Sequence, residues 1–197
     1  MYFVEDKIYH VYNRGNNKQP IFFRPENYIY FLYKVRRYIR PNCNLLAYCL
    51  LPNHFHFLFQ ATSMSVFMKQ TTVVTQTQLS DGFKNLLSTY TQAVNKQENR
   101  VGSLFSQNTK AKLVSCDETK TDYSLLCLNY IHQNPVEAGL IQMIEDWPYS
   151  SYLDYAHRRN GTLCSKEIAY QLIDADWDNF SAFSEAILPE ESIRNLY

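Results

Sequence analysis

The clearest alternation of apolar and polar positions opens the chain: Ile8 to Arg14 (IYHVYNR) reads as a strand that stops at the turn signal Gly15-Asn16-Asn17. Pro25 then opens ENYIYFLYKVRRYIR, where Tyr28, Phe31, Leu32, Val35 and Ile39 recur at helical spacing until Pro41. Leu45 to Leu51 reads as a second strand and His54 to Gln60 (HFHFLFQ) as a third. Pro52-Asn53 between them signals a tight turn, so the two form a hairpin. After a polar Thr/Gln/Ser stretch, Phe83, Leu86, Leu87, Tyr90 and Val94 give an amphipathic helix running to about Lys96. Ala111 to Ser115 supplies a fourth strand. Asp117 or Thr119 caps a third helix, TKTDYSLLCLNYIHQ, expected to end near Asn134-Pro135 because the residue before a proline disfavours helical geometry.

The order strand, helix, strand, strand, helix, strand, helix predicts an α+β fold, a ferredoxin-like or RRM-like sandwich. Its antiparallel sheet carries helices on one face, plus one more helix, and leaves the other face free for a site. This domain is expected to span residues 1–155. Beyond Trp147-Pro148-Tyr149-Ser150-Ser151 the chain turns acidic and includes DADWDNF, so 156–197 reads as an acidic C-terminal appendage docked on the same domain.

Composition supports a folded chain, with 46% hydrophobic and 15% aromatic residues among 197. No stretch approaches the roughly 20 apolar residues that cross a bilayer, so no membrane partner is expected. The acidic opening MYFVEDKIYH does not resemble a signal peptide. Five cysteines at 43, 49, 116, 127 and 164 form no C-x-x-C pair and read as reduced thiols in a cytoplasmic protein. The net charge of zero hides a division. Residues 1–115 carry 14 Lys and Arg against 5 Asp and Glu, and residues 116–197 carry 5 against 14. A basic half of that size favours a polyanionic partner, unless the two halves simply attract one another.

In HFHFLFQ the strand period of two puts His54, His56 and Leu58 on one face and the three phenylalanines on the other, where they claim the core. Two imidazoles at i and i+2 can reach one divalent cation, but a site needs further ligands from elsewhere. The candidate source is YIHQNPVEAGL, residues 130 to 140. Tyr130 and Asn134 stand four apart on one helix face, offering a phenol and a carboxamide oxygen, and Tyr123 lies seven residues earlier on that face. Pro135 follows Asn134 directly, which puts Asn134 at the expected helix end and lets Gln133 or His132 turn toward the histidines instead.

Four segments in order, YHVYNRGNNKQPIF, YCLLPNHFHFLF, GSLF and YIHQNPVEAGLI followed by WPYSSY, together resemble the REP-associated tyrosine transposase branch of the single-tyrosine HUH transposases, over about residues 8 to 155. The resemblance implies the same ferredoxin-like fold. It also implies metal ligands His54, His56 and Asn134 for Mg²⁺ or Mn²⁺, with Tyr130 as the nucleophile that forms a 5′-phosphotyrosine. The implied partner is single-stranded DNA read at the foot of a hairpin, bound by a homodimer or a monomer.

Suitable phosphate contacts are Arg14, Lys18 and Arg24 near the first turn, Lys34, Arg36, Arg37 and Arg40 on the first helix, and Lys110 and Lys112 before the fourth strand. Two other readings compete. One is a nicking and closing endonuclease of the replication-initiator type, and the other is a non-catalytic RRM-like or domesticated nucleic-acid-binding protein. The RRM-like reading predicts aromatics, not histidines, on the open face of the central strands.

Overall fold

The computed structural model describes residues 1–70, 75–114 and 123–184. Its sheet is built from β1 (Ile8–Arg14), β2 (Cys43–Leu51), β3 (His54–Ala61) and β6 (Lys110–Leu113), in the order β2-β3-β1-β6 with every neighbour antiparallel. This is the split βαβ order expected of the pattern. A second, small hairpin of β4 (Met68–Gln70) and β5 (Thr75–Thr77) stands apart, after the one-turn helix α2 (Ser63–Val66).

Helices α1 (Pro25–Tyr38) and α3 (Gln78–Gln97) cover one face. Phe31, Val35, Phe83, Leu86 and Tyr90 pack there with Val11, Phe55, Phe57 and Phe59. The phenylalanines of HFHFLFQ thus do fill the core. The long helix α3 starts earlier than the apolar spacing indicates, because Thr77 Oγ1 accepts from the Ser80 amide and caps a polar first turn.

The face expected to be free for a site is largely covered. Strand β2 is apolar on both sides, so Leu46, Cys49 and Leu51 need a cover of their own. Helix α4 (Ser124–Glu137) supplies it with Cys127, Leu128 and Ile131. The same cluster is completed by Tyr152 and Tyr155 of α5 (Tyr152–Tyr155), Ala169 of α6 (Lys166–Leu172), Ile173, and Phe180 of α7 (Phe180–Ser184).

The region from 156 to 184 thus contributes Ala169, Ile173 and Phe180 to the second core. The Ser165 amide donates to Leu45 O (2.7 Å), and the Arg159 guanidinium reaches Asp154 Oδ1 (2.6 Å) and Tyr48 Oη (3.0 Å). Four of the five cysteines, 43, 49, 127 and 164, are buried free thiols, and Cys116 lies outside the described residues.

Helix α4 also corrects the expected stop at Asn134-Pro135: it continues through Pro135 to Glu137. Proline forfeits only its own amide bond to Ile131 O. The Ala138 amide still donates to Asn134 O (2.9 Å) and the Leu140 amide to Pro135 O (3.0 Å). The proposed caps Asp117 and Thr119, and the strand end Ser115, lie outside the described residues.

Candidate functional site

In the antiparallel register of β1 and β3, Arg14 lies opposite His54 and Tyr12 opposite His56. Directly paired residues share a face, so Arg14, Tyr12, His10, His54 and His56 rise from the sheet together. Strand β6 adds Lys110 opposite Tyr12 and Lys112 opposite His10. Helix α4 packs on this face over β2 and β3 and brings Tyr130 and Asn134, one turn apart, to the histidines. The Tyr130 ring meets His56 edge-on at 5.6 Å between centroids and His10 at 6.1 Å. Asn134 Oδ1 stands 3.4 Å from His54 Nε2.

Hydrogen bonding fixes which atoms carry protons. Asn53 Nδ2 donates to Lys18 O (3.2 Å), which turns its Oδ1 to His54 Nδ1 (2.6 Å), so Nδ1 is the protonated nitrogen of His54 and Nε2 holds a lone pair. Asn134 Nδ2 donates to Tyr130 O (3.3 Å), which aims its Oδ1 at that lone pair. His56 Nε2 is buried and has no partner among the described residues. Burial holds His54 below the ordinary imidazole range, with Arg14 adding and the Asn134 contact opposing. It holds His56 well below, with His10 and His54 adding. His54 Nε2 and Asn134 Oδ1 facing each other at 3.4 Å, with the His56 ring 5.0 Å from that of His54, are groups whose lone pairs a divalent cation would reconcile. Among the described residues no group of three His, Cys, Asp or Glu comes together for a metal.

The alternative third ligands are engaged elsewhere. His132 Nε2 bonds Ser151 Oγ (2.8 Å) in the second core, and Gln133 Nε2 donates to Ser184 O (2.6 Å). Tyr123 precedes α4 and packs on the second core instead of at the site.

A cleft of about 570 Å³ opens beside the histidines, lined by Tyr12, His54 and His56 and by the basic side chains Arg14, Lys18 and Lys110. Its rim is shaped by the turn after β1. The Gly15 amide bonds Asn53 O (2.8 Å), and a Cβ on Gly15 would lie 2.1 Å from Gln19 O. Asn17 and Lys18 both take the left-handed conformation, with φ of 51° and 59°, which folds the turn over the β2–β3 hairpin. Tyr130 and Asn134 do not line the cleft, and each is only 6% exposed.

Not every expected basic residue comes here. Arg36 and Arg37 sit on α1, across the sheet: Arg36 Nη2 donates to Thr162 Oγ1 (2.9 Å) and Arg37 stacks on Tyr38. Lys34 is buried over Tyr30 and Tyr38, and Arg24 pairs with Glu98 (3.2 Å). Three residues of the site were missed by sequence reasoning: His10, Tyr12 and Asn53. The alternation His10-x-Tyr12-x-Arg14 was a usable signal for the first two once β1 is paired with β3. Asn53 was legible only as a turn residue.

Comparison with known proteins agrees with the resemblance carried by the four segments. The chain is 26% identical over 107 residues to a Haemophilus influenzae protein named as a REP-associated tyrosine transposase. That match covers 54% of this chain and 57% of the relative, so the chain spans little more than half of that protein's length. Among solved structures, a REP-associated tyrosine transposase bound to a REP hairpin superposes with a TM-score of 0.58 at 16% identity, over 96% of this chain and 97% of that one. It shares the fold. No protein-family model matches.

Proposed function

We propose that this protein is a transposase-like strand transferase that cleaves and rejoins single-stranded DNA through a 5′-phosphotyrosine on Tyr130. The observation that carries the reading is the meeting of Tyr130 and Asn134 from α4 with His54 and His56 from β3. The H. influenzae relative and the hairpin-bound structural neighbour support the same direction. The RRM-like binding reading is disfavoured, because imidazoles, not aromatics, stand on the α4-side face of β3, that face is largely covered, and Phe55 and Phe57 are buried on the other.

A divalent cation such as Mg²⁺ or Mn²⁺, when bound by His54, His56 and Asn134, would supply Lewis-acid polarisation of the scissile phosphate. Arg14, Lys18, Lys110 and Lys112 hold the DNA backbone along the cleft and its β6 side. Tyr130 Oη forms a bond to phosphorus as the bond from phosphorus to O3′ breaks. The phenolic proton leaves to water and the departing 3′ oxygen takes one up. The phosphodiester is conserved as a phosphotyrosine, so a second 3′-hydroxyl reverses the exchange and reseals DNA without ATP. Because the Tyr130 ring is buried against His56, productive binding has to part the two.

The test is incubation with Mn²⁺ and labelled single-stranded hairpins from the flanks of the gene. A denaturation-resistant adduct is expected, absent in Tyr130→Phe while DNA binding stays nearly unchanged. An undiminished adduct in Tyr130→Phe overturns the nucleophile. Tight binding with no adduct from the native protein favours the binding-module reading.

A further inference from the structure

His10 is wholly buried in the middle of β1 and belongs to none of the roles above. Its Nε2 lies 2.8 Å from His56 Nδ1, and the two rings stack within 18° of parallel at 5.0 Å. One proton occupies that contact, and it has two placements. If His10 donates, His56 must carry its own proton on Nε2, leaving a buried N–H with no acceptor among the described residues. If His56 Nδ1 donates, Nε2 is left as a bare lone pair, and a buried unpaired acceptor is tolerated better than a buried unpaired donor. Tyr12 packs on both rings, 4.9 Å from His10 and 5.7 Å from His56, and Tyr130 closes the edge of both, which resists rotation of either ring.

We propose that His10 is a positioning residue that accepts the Nδ1 proton of His56 and so fixes the tautomer that leaves His56 Nε2 as a lone pair, on the sheet face it shares with His54. A metal-binding imidazole usually gives its second N–H to a carboxylate or a backbone carbonyl. Here a neutral imidazole does the work, orienting His56 without adding charge to the site. The consequence for a cation rests on the function proposed above; the tautomer itself does not.

The experiment reads both separately. In metal-free protein at about pH 8, where imidazoles are neutral, long-range ¹H–¹⁵N correlation spectra are expected to show His56 protonated on Nδ1. In His10→Leu the proton should move to Nε2 or divide between the two. Mn²⁺ binding by titration calorimetry should weaken by about 10- to 100-fold in His10→Leu. His10→Gln, whose amide oxygen can still accept, should restore most of the affinity. If His10→Leu fails to fold by circular dichroism, His10→Asn, too short to reach Nδ1, provides the same contrast. A native His56 protonated on Nε2, or a folded His10→Leu with unchanged tautomer and Mn²⁺ affinity, overturns the proposal. Native protein that takes up no Mn²⁺, with the tautomer still shifting in His10→Leu, sustains it while removing the metal from the function.

Discussion

Asn134 Oδ1 and His54 Nε2 face each other at 3.4 Å across eighty positions of sequence, one on α4 and the other on β3. Neither atom has a proton to offer the other, because Asn53 and the Tyr130 carbonyl have already fixed their partners. The contact sets two acceptor atoms against each other and ties α4, with Tyr130, to the histidine strand.

The exchange Asn134→Asp keeps an oxygen at that point and adds charge, so it should retain metal-dependent cleavage and bind Mn²⁺ more tightly. Asn134→Leu keeps the volume but removes the oxygen, and should lower cleavage by roughly a hundredfold or more, the scale of losing a positioned electrostatic stabiliser. Adduct formation with both variants at matched Mn²⁺ concentration checks this. Equal rates for Leu and Asp would remove Asn134 from the site.

Acid should destabilise the fold through its buried imidazoles. Burial pushes His132 down to about 3, and His54 and His56 also lie below the ordinary value. The unfolded chain takes up these protons near pH 6.5, while folded His132 does not until about 3. The unfolded state thus binds more protons throughout that window, and stability rises with pH. The contribution is fully present above about pH 6.5 and fades as pH falls, by about 1.4 kcal/mol per pH unit for His132 across that window, with His54 and His56 acting in the same direction. Thermal melts in EDTA should be flat near pH 7 to 8 and fall steeply between about 6 and 4. His132→Gln should make that fall shallower; an unchanged slope would show that His132 does not contribute.

The strands and their faces were legible because apolar and polar residues alternate along β1 and along His54–Phe57 of β3, and a period of two survives even where packing buries both sides. The extent of α4 was not, since Pro135 argues locally for a stop and only the burial of Asn134 and Pro135 against the rest of the fold overrides it. The site was half legible. His54, His56, Tyr130 and Asn134 share short spacings, whereas His10 joins them only through strand register. The basic residues on α1 show the opposite failure. Charge on a helix says nothing about which side of a sheet that helix covers, and Arg36 and Arg37 lie across the sheet from the histidines.

That division yields a salt-dependence test. Arg14→Ala and Lys110→Ala should each weaken single-stranded DNA binding across sequences and reduce the slope of log affinity against log salt by about 0.7. Arg36→Ala and Arg37→Ala should leave both nearly unchanged. Fluorescence anisotropy from low to moderate salt separates the pairs. A larger loss from the α1 variants would move the DNA track to the other face of the sheet.

The acidic C-terminal region should prove to be part of the folding unit. Phe180 is buried where α7 meets α4 and α5, stacked on Trp177 at 5.4 Å and close to His132, Tyr152 and Tyr155. Phe180→Ala empties that space and should cost about 3 to 5 kcal/mol, read from urea denaturation. Removing residues 160–197 goes further: it takes away Ala169, Ile173 and Phe180 and the Ser165 bond to Leu45, leaving the apolar outer side of β2 only partly covered. The truncated chain should aggregate or melt far below the native protein. This is the reverse of what a mere appendage would do, for which both stability and DNA cleavage would survive the cut. A cooperative melt of the truncated chain at the native temperature would show that α4 and α5 alone close the second core.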